Sequence, residues 1–249
     1  PAGERGAPAL VDLDGDADWD LVVGSCVDAT TVGRYCMYFD ANPTKCGSYD
    51  DDDFTLCCAC GGGEGVISYY ENIGRASAAQ FEAKSGSSNP FDGIAGTYLT
   101  PAFADVDHDG DKDLVLGGSS GALKYFENTG NSTAPVFIAR VGGANPFASV
   151  DVHARSAPAL FSYDEDGDLH LAVGAADGTI VYYENTGTAE LPEYVLVAPS
   201  ASPFAFVDVF TNSAPVFGNL SGDGSNKLLV GGMRYEYYQD DDAWTQVGR

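Results

Sequence analysis

Ala7-Pro-Ala-Leu-Val-Asp-Leu-Asp-Gly-Asp-Ala-Asp-Trp-Asp-Leu-Val-Val-Gly24 decides how this chain folds, because the pattern returns three more times. Copies restart at Thr100, Ala157 and Ala214, the last of them eroded. The anchoring prolines are Pro8, Pro101, Pro158 and Pro215, so that Pro101 to Pro158 and Pro158 to Pro215 are both steps of 57 residues. A repeat of that length, holding several short apolar runs, predicts an array of stacked strand units rather than a one-off compact domain.

The third copy has no insertion and shows the unit most plainly. Ala157–Phe161 predicts a first strand, an acidic loop follows, and Leu171–Gly174 predicts a second. Asp177-Gly178 is a hairpin turn dipeptide. Thr179–Glu184 alternates as a third strand, with Ile180, Tyr182 and Glu184 on one face and Val181 and Tyr183 on the other. Asn185-Thr-Gly turns the chain, and Glu193–Val197 makes a fourth strand. Four short antiparallel strands per unit outline a β-propeller blade, and the fold class is all-β. The third-strand mark Tyr-Tyr-Glu-Asn at Tyr69 returns as Tyr-Phe-Glu-Asn at Tyr125, Tyr-Tyr-Glu-Asn at Tyr182 and Tyr-Tyr-Gln-Asp at Tyr237. Asn-Pro-Phe at Asn89 returns at Asn145, and as Ser-Pro-Phe at Ser202.

These marks divide the chain. Repeat 1 comprises 1–24 and 62–99, repeat 2 is 100–156, repeat 3 is 157–213, and the degenerate repeat 4 is 214–249. Residues 25–61 interrupt the hairpin tip of repeat 1, where insertions are tolerated. All six cysteines (Cys26, Cys36, Cys46, Cys57, Cys58 and Cys60) lie in that insert. An even number at such density reads as a disulfide knot formed in an oxidising compartment. The rival is a zinc site, which lacks paired CxxC spacing and a nearby histidine. Sequons at Asn131 and Asn219 agree with secretion.

Composition narrows the partners. The chain has 249 residues, 44% of them hydrophobic, enough for a core. Against 12 basic residues stand 37 acidic ones, a formal charge of −25. Nucleic acid and anionic membrane both require a basic surface and are not expected partners. No apolar run is long enough to cross a bilayer. The chain lacks an initiating Met and a signal peptide, and is expected to be a processed piece of a larger secreted protein.

The acidic loop carries the chemistry. In the first copy, loop positions 1, 3, 5, 7 and 9 are Asp12, Asp14, Asp16, Asp18 and Asp20. In the second they are Asp105, Asp107, Asp109, Asp111 and Asp113. Five carboxylates in nine residues repel one another unless a hard cation sits among them. Calcium accepts six to eight oxygens in flexible geometry, whereas magnesium keeps more water, so calcium is the expected ion. An EF-hand would need a glutamate at position 12, which is Val23 or Leu116 here. The third loop has Ser162 and His170 at positions 1 and 9 and keeps Asp164, Asp166 and Asp168, which leaves a third calcium site open. In the fourth loop Lys227 takes position 9, and its ammonium can stand in for the ion.

Asp12-to-Gly24, followed by Gly-x-Leu-x-Tyr-Phe-Glu-Asn-Thr-Gly at Gly121, resembles the FG-GAP/VCBS repeats, relatives of the integrin α-subunit propeller. The resemblance covers nearly all of the chain outside the insert and implies β-propeller blades with calcium between the first two strands. It further implies side-chain ligands at loop positions 1, 3, 5 and 9, with position 7 giving its backbone carbonyl. That family usually closes rings of about seven blades, and this chain supplies four. The insert's Tyr49-to-Gly63 run also resembles short cysteine-rich modules of secreted proteins from single-celled algae.

Other motifs have plainer readings. Gly117-Gly-Ser-Ser-Gly121 matches GxSxG formally but leads into a strand instead of the helix that motif needs, so Ser119 reads as turn chemistry. His108, His153 and His170 are too scattered for a zinc triad or a catalytic base. No enzyme is expected. The tyrosine pairs read as structural, one ring between blades and its neighbour on the opposite face. The expected function is a secreted, calcium-stabilised interaction or structural module, with other extracellular proteins or further copies of itself as partners. The alternative is a glycan-binding lectin that uses those tyrosines.

Overall fold

A computed structural model describes residues 5–26, 65–75, 77–162, 168–219, 226–233, 235–240 and 243–248. Apart from single-turn helices such as Gly86–Ser88, Gly142–Ala144 and Pro199–Ala201, the regular structure is all β. The first sheet contains β1 (Arg5–Val11), β2 (Asp20–Cys26), β3 (Gly65–Asn72) and β4 (Phe81–Lys84), with the two-residue β5 (Ala95–Gly96) added to β3. The second runs β6 (Thr100–Ala104), β7 (Asp113–Gly117), β8 (Lys124–Asn128), β9 (Phe137–Arg140). The third runs β10 (Ala157–Phe161), β11 (His170–Gly174), β12 (Ile180–Asn185), β13 (Tyr194–Leu196). All pairings are antiparallel, and the strands expected in the third copy lie within a residue or two of those observed. The fourth copy differs, dividing into two hairpins: β14 (Thr211–Gly218) with β15 (Lys227–Met233), and β16 (Tyr235–Asp240) with β17 (Ala243–Gly248). Among the described residues no closed barrel or propeller ring is formed.

Registers repeat from sheet to sheet. Ala9 faces Val22, Ala102 faces Val115, Ala159 faces Ala172 and Val216 faces Leu229. First strands of successive sheets lie side by side, β1 by β6, β6 by β10 and β10 by β14. The sheets therefore stack, and each boundary encloses an apolar core. Val22, Ile67 and Tyr69 meet Leu99, Leu114 and Leu116 at the first boundary. Val115, Tyr125 and Leu123 meet Leu171, Val173 and Tyr183 at the second. Phe161, Ala172 and Tyr182 meet Phe217, Leu228 and Val230 at the third.

The recurring Asn-Pro-Phe motif seats one ring in each core. Asn89 Oδ1 accepts from the Phe91 N–H at 3.0 Å, Asn145 Oδ1 from Phe147 at 2.9 Å, and Ser202 Oγ from Phe204 at 3.1 Å. That local turn drives Phe91, Phe147 and Phe204 inward, where each is buried. Truncating such a ring to alanine costs about 3–5 kcal/mol. The tyrosine pair of the third copy behaves as expected: Tyr182 faces the fourth sheet and Tyr183 the second. Gly117 and Gly174 close the stack, since a Cβ at either would stand 2.1 or 2.0 Å from the carbonyl oxygen of Ser156 or Ser213.

Candidate metal centre

The β1–β2 and β6–β7 loops carry the acidic pattern. Loop positions 4 and 6 are left-handed in both: Gly15 (φ 74°) and Ala17 (φ 72°) in the first, His108 (φ 63°) and Gly110 (φ 99°) in the second. These turns curl the backbone so that position 1 can accept from its N–H groups. Asp12 Oδ1 accepts from Gly15 at 2.8 Å and Oδ2 from Ala17 at 3.1 Å, while Asp105 Oδ2 accepts from Gly110 at 3.1 Å. Asp14 accepts from the Asp16 N–H, and Asp107 from that of Asp109.

The result is two matching triads, Asp12–Asp14–Asp16 and Asp105–Asp107–Asp109, each offering three carboxylate oxygens within 4.8 Å of one another. Among the described residues no lysine or arginine pairs with either triad; Lys84 pairs with Glu71 and Glu82, and Arg140 with Glu127. Burial, aided by the charges of Asp20, Asp16 and Glu71, holds Asp14 above the usual carboxylate range. Asp107 is raised by burial and by Asp109, Glu127 and Asp105. An oxygen-only donor set with surplus negative charge suits a hard dication, and Asp12, Asp14, Asp16, Asp105, Asp107 and Asp109 fit calcium. Asp18, Asp20, Asp111 and Asp113 stand outside the triads.

Position 9 has a structural role that sequence alone did not reveal. Asp20 and Asp113 are each 1% exposed. Asp113 Oδ1 accepts from the Asn128 N–H at 2.8 Å, and Oδ2 from the Val106 N–H at 3.0 Å and the Tyr125 hydroxyl at 2.9 Å. Asp20 accepts likewise from Asn72, Leu13 and Tyr69. In the third repeat the buried His170 takes over, its Nδ1 accepting from the Asn185 N–H at 3.2 Å. Each asparagine then caps the next turn: Asn72 Oδ1 accepts from Gly74 and Gln80, Asn128 from Gly130 and Val136, and Asn185 from Gly187 and Glu193. Position 9 thus fastens the end of the third strand to the loop. The signal was present in the joint recurrence of that aspartate with Tyr-x-Glu-Asn. Burial pushes the Asp113 carboxyl up to about 6, against the opposing hydrogen bonds.

The remaining expectations are placed unevenly. Asp164 and Asp166 lie outside the described residues, as do Cys36, Cys46, Cys57, Cys58 and Cys60; Asp168 and Cys26 are described, Cys26 only as the end of β2. Val23 and Leu116 lie in strands, as the argument against an EF-hand requires. The Gly117–Gly121 turn joins β7 to β8, and Ser119 Oγ is hydrogen-bonded to Thr97 Oγ1. Asn131 is exposed on the β8–β9 turn and Asn219 is exposed after β14. No helix among the described residues is long and apolar enough to cross a membrane. Set against protein-family models, curated proteins and solved structures, the chain matches none of them.

Proposed function

We propose that this is a secreted calcium-binding repeat protein of FG-GAP/VCBS type, with β-propeller-type blades, acting as a structural or adhesive interaction module of an extracellular assembly. The observation that carries the reading is the uncompensated carboxylate triad, built twice at the same place in consecutive sheets. Calcium bound there joins two strands of a sheet and offsets part of the −25 charge. The ends of the stack support the interaction role. Leu229, 61% exposed, stands at the register of Val22, Val115 and Ala172, which are fully buried against the next sheet. Leu10, 57% exposed, stands at the register of Phe103, Leu160 and Phe217, which pack against the preceding one. Both end faces therefore suit a further sheet, from another copy or another protein. Of the tyrosine pairs the lectin reading would use, Tyr69, Tyr182 and Tyr183 are buried and Tyr70 is half-buried, while the side chains of Tyr237 and Tyr238 lie outside the described ones.

Calcium that binds only the folded chain stabilises it by about 2.7 kcal/mol per site at a hundredfold excess over the dissociation constant. Chelation should lower the unfolding midpoint, and Asp14→Ala with Asp16→Ala should remove the first loop's share. A melt indifferent to calcium and chelator would end the metal reading. Light scattering that shows a strict monomer at every concentration in calcium would count against the assembly role.

A further inference from the structure

Among the described residues, three buried polar side-chain atoms have no hydrogen-bond partner: Asp105 Oδ1, Asn185 Nδ2 and Tyr194 Oη. All three residues line one small cavity, between the second acidic loop and the β12–β13 turn of the next sheet. Val106, Leu169, Ala189 and Pro192 supply its apolar wall, and His108 of the second loop completes the lining. Asn185 and Tyr194 are only 7% and 5% exposed, so bulk solvent does not serve them. The cavity offers about 10 Å³ to a water-sized sphere, room for one molecule.

The three atoms define what fits. Asn185 presents an N–H donor, Tyr194 a hydroxyl and Asp105 a carboxylate acceptor. A cation would satisfy Asp105 but meet the amide protons of Asn185, and an anion would face the carboxylate. A single water has the donors and acceptors to accept from Asn185 Nδ2 and Tyr194 Oη and donate to Asp105 Oδ1.

We propose that one structural water occupies this cavity and ties the first carboxylate of the second loop to the third sheet. Tyr194 and Asn185 are then positioning residues for a loop that belongs to the preceding repeat. The first boundary is a built-in control. There Asp12 has both oxygens engaged by its own loop, and Phe137 takes the register of Tyr194. Phe137 stacks on Phe91 at 4.9 Å as Tyr194 stacks on Phe147 at 4.7 Å, so the tyrosine differs by its hydroxyl. The consequence for cation affinity rests on the calcium reading, whereas the water itself does not.

A crystal structure of the whole chain at high resolution, with and without calcium, tests the water directly. Density is expected at about 3 Å from Asp105 Oδ1, Asn185 Nδ2 and Tyr194 Oη. An empty cavity, a metal ion in it, or a direct bond from Tyr194 to Asp105 would overturn the proposal. Calcium calorimetry gives the second arm. With the first loop disabled by Asp14→Asn and Asp16→Asn, Tyr194→Phe should weaken binding about tenfold. With the second loop disabled instead, by Asp107→Asn and Asp109→Asn, Tyr194→Phe should change nothing. Asn185→Asp, which keeps the oxygen that caps Gly187 and Glu193 but removes the donor, should reproduce the selective loss. Equal weakening at both loops, or none at either, would refute the coupling. A wild-type chain that binds no calcium would defeat the metal reading and leave the crystallographic arm to decide the water.

Discussion

In the second repeat Asp113 fastens the end of the third strand through a carboxylate with three donors, while in the third repeat His170 holds the same register with its ring Nδ1 accepting from Asn185. Strand pairing is alike in both, Leu114 opposite Phe126 and Leu171 opposite Tyr183. Position 9 therefore serves the sheet whether or not it also faces a cation. The triad at positions 1, 3 and 5 forms a separable upper part of the loop. A repeat can exchange part of its acidic set, as the third has at Ser162 and His170, and keep its sheet.

The sharpest way to break that comparison is to delete each part in turn. Asp113→Ala leaves the Val106 and Asn128 N–H groups and the Tyr125 hydroxyl buried without an acceptor. At about 1–3 kcal/mol for each orphaned group, with partial relaxation, the loss should be about 3–5 kcal/mol. Asp107→Ala with Asp109→Ala touches carboxylates nearer the surface and should cost less than about 1 kcal/mol in chelator. Asp113→His, borrowing the third repeat's solution, should fall between them. Urea unfolding in chelator measures all three, and equal losses from the first two variants would erase the distinction.

A smaller effect follows from the charge on Asp113. Its folded pKa, about 6, lies above the ordinary 3.8, so the folded state holds the proton more tightly than the unfolded one. The stabilising contribution is full below pH 3.8 and is lost as pH rises through 6. A shift of about two units corresponds to about 3 kcal/mol as an upper figure. In chelator, stability should fall between about pH 4 and 6. Calcium beside Asp107 should flatten that slope, because a dication lowers the cost of keeping Asp113 ionised. Unfolding midpoints across this range, with and without calcium, decide it; a slope unchanged by calcium would separate Asp113 from the metal site.

The repeating unit was legible because its signals are local. Alternation at Ile180, Tyr182 and Tyr183, the Asp177-Gly178 turn and the proline starts each act within a few residues, and the observed strands follow them. The acidic loops were legible for the same reason, as odd positions on one loop, although the structure groups only positions 1, 3 and 5 and leaves 7 and 9 outside. The fastening role of Asp20 and Asp113 was not, because its partners Asn72 and Asn128 lie on another strand across the sheet. Nor was the cavity at Tyr194, which depends on two repeats meeting: Phe137 and Tyr194 read as interchangeable apolar positions until the neighbouring loop is in place. The division of the fourth copy escaped for a related reason. Tyr-Tyr-Gln-Asp at Tyr237 keeps the third-strand mark, yet β16 pairs with β17 instead of β15.

The smallest predicted effect compares the two loops residue by residue. Both need left-handed backbone at positions 4 and 6, and each has glycine at only one of them: Gly15 with Ala17, and Gly110 with His108. An L-residue held there pays for the close approach of its Cβ to the backbone, roughly 1–2 kcal/mol in a regular left-handed helix and less at a single turn position. Ala17→Gly and His108→Gly should therefore each stabilise the chain by about 0.5–1 kcal/mol, even though glycine also loosens the unfolded state. The glycines already present should respond unequally to a methyl group. A Cβ at Gly15 would stand 2.8 Å from the Thr133 side chain of the next repeat, whereas at Gly110 it meets nothing within 4 Å. Gly15→Ala should thus cost more than Gly110→Ala, by an amount that Thr133→Ser relieves. Thermal melts of the four single variants and the Gly15→Ala, Thr133→Ser pair read this out, and equal costs at the two glycines would show that the first loop does not rest on its neighbour.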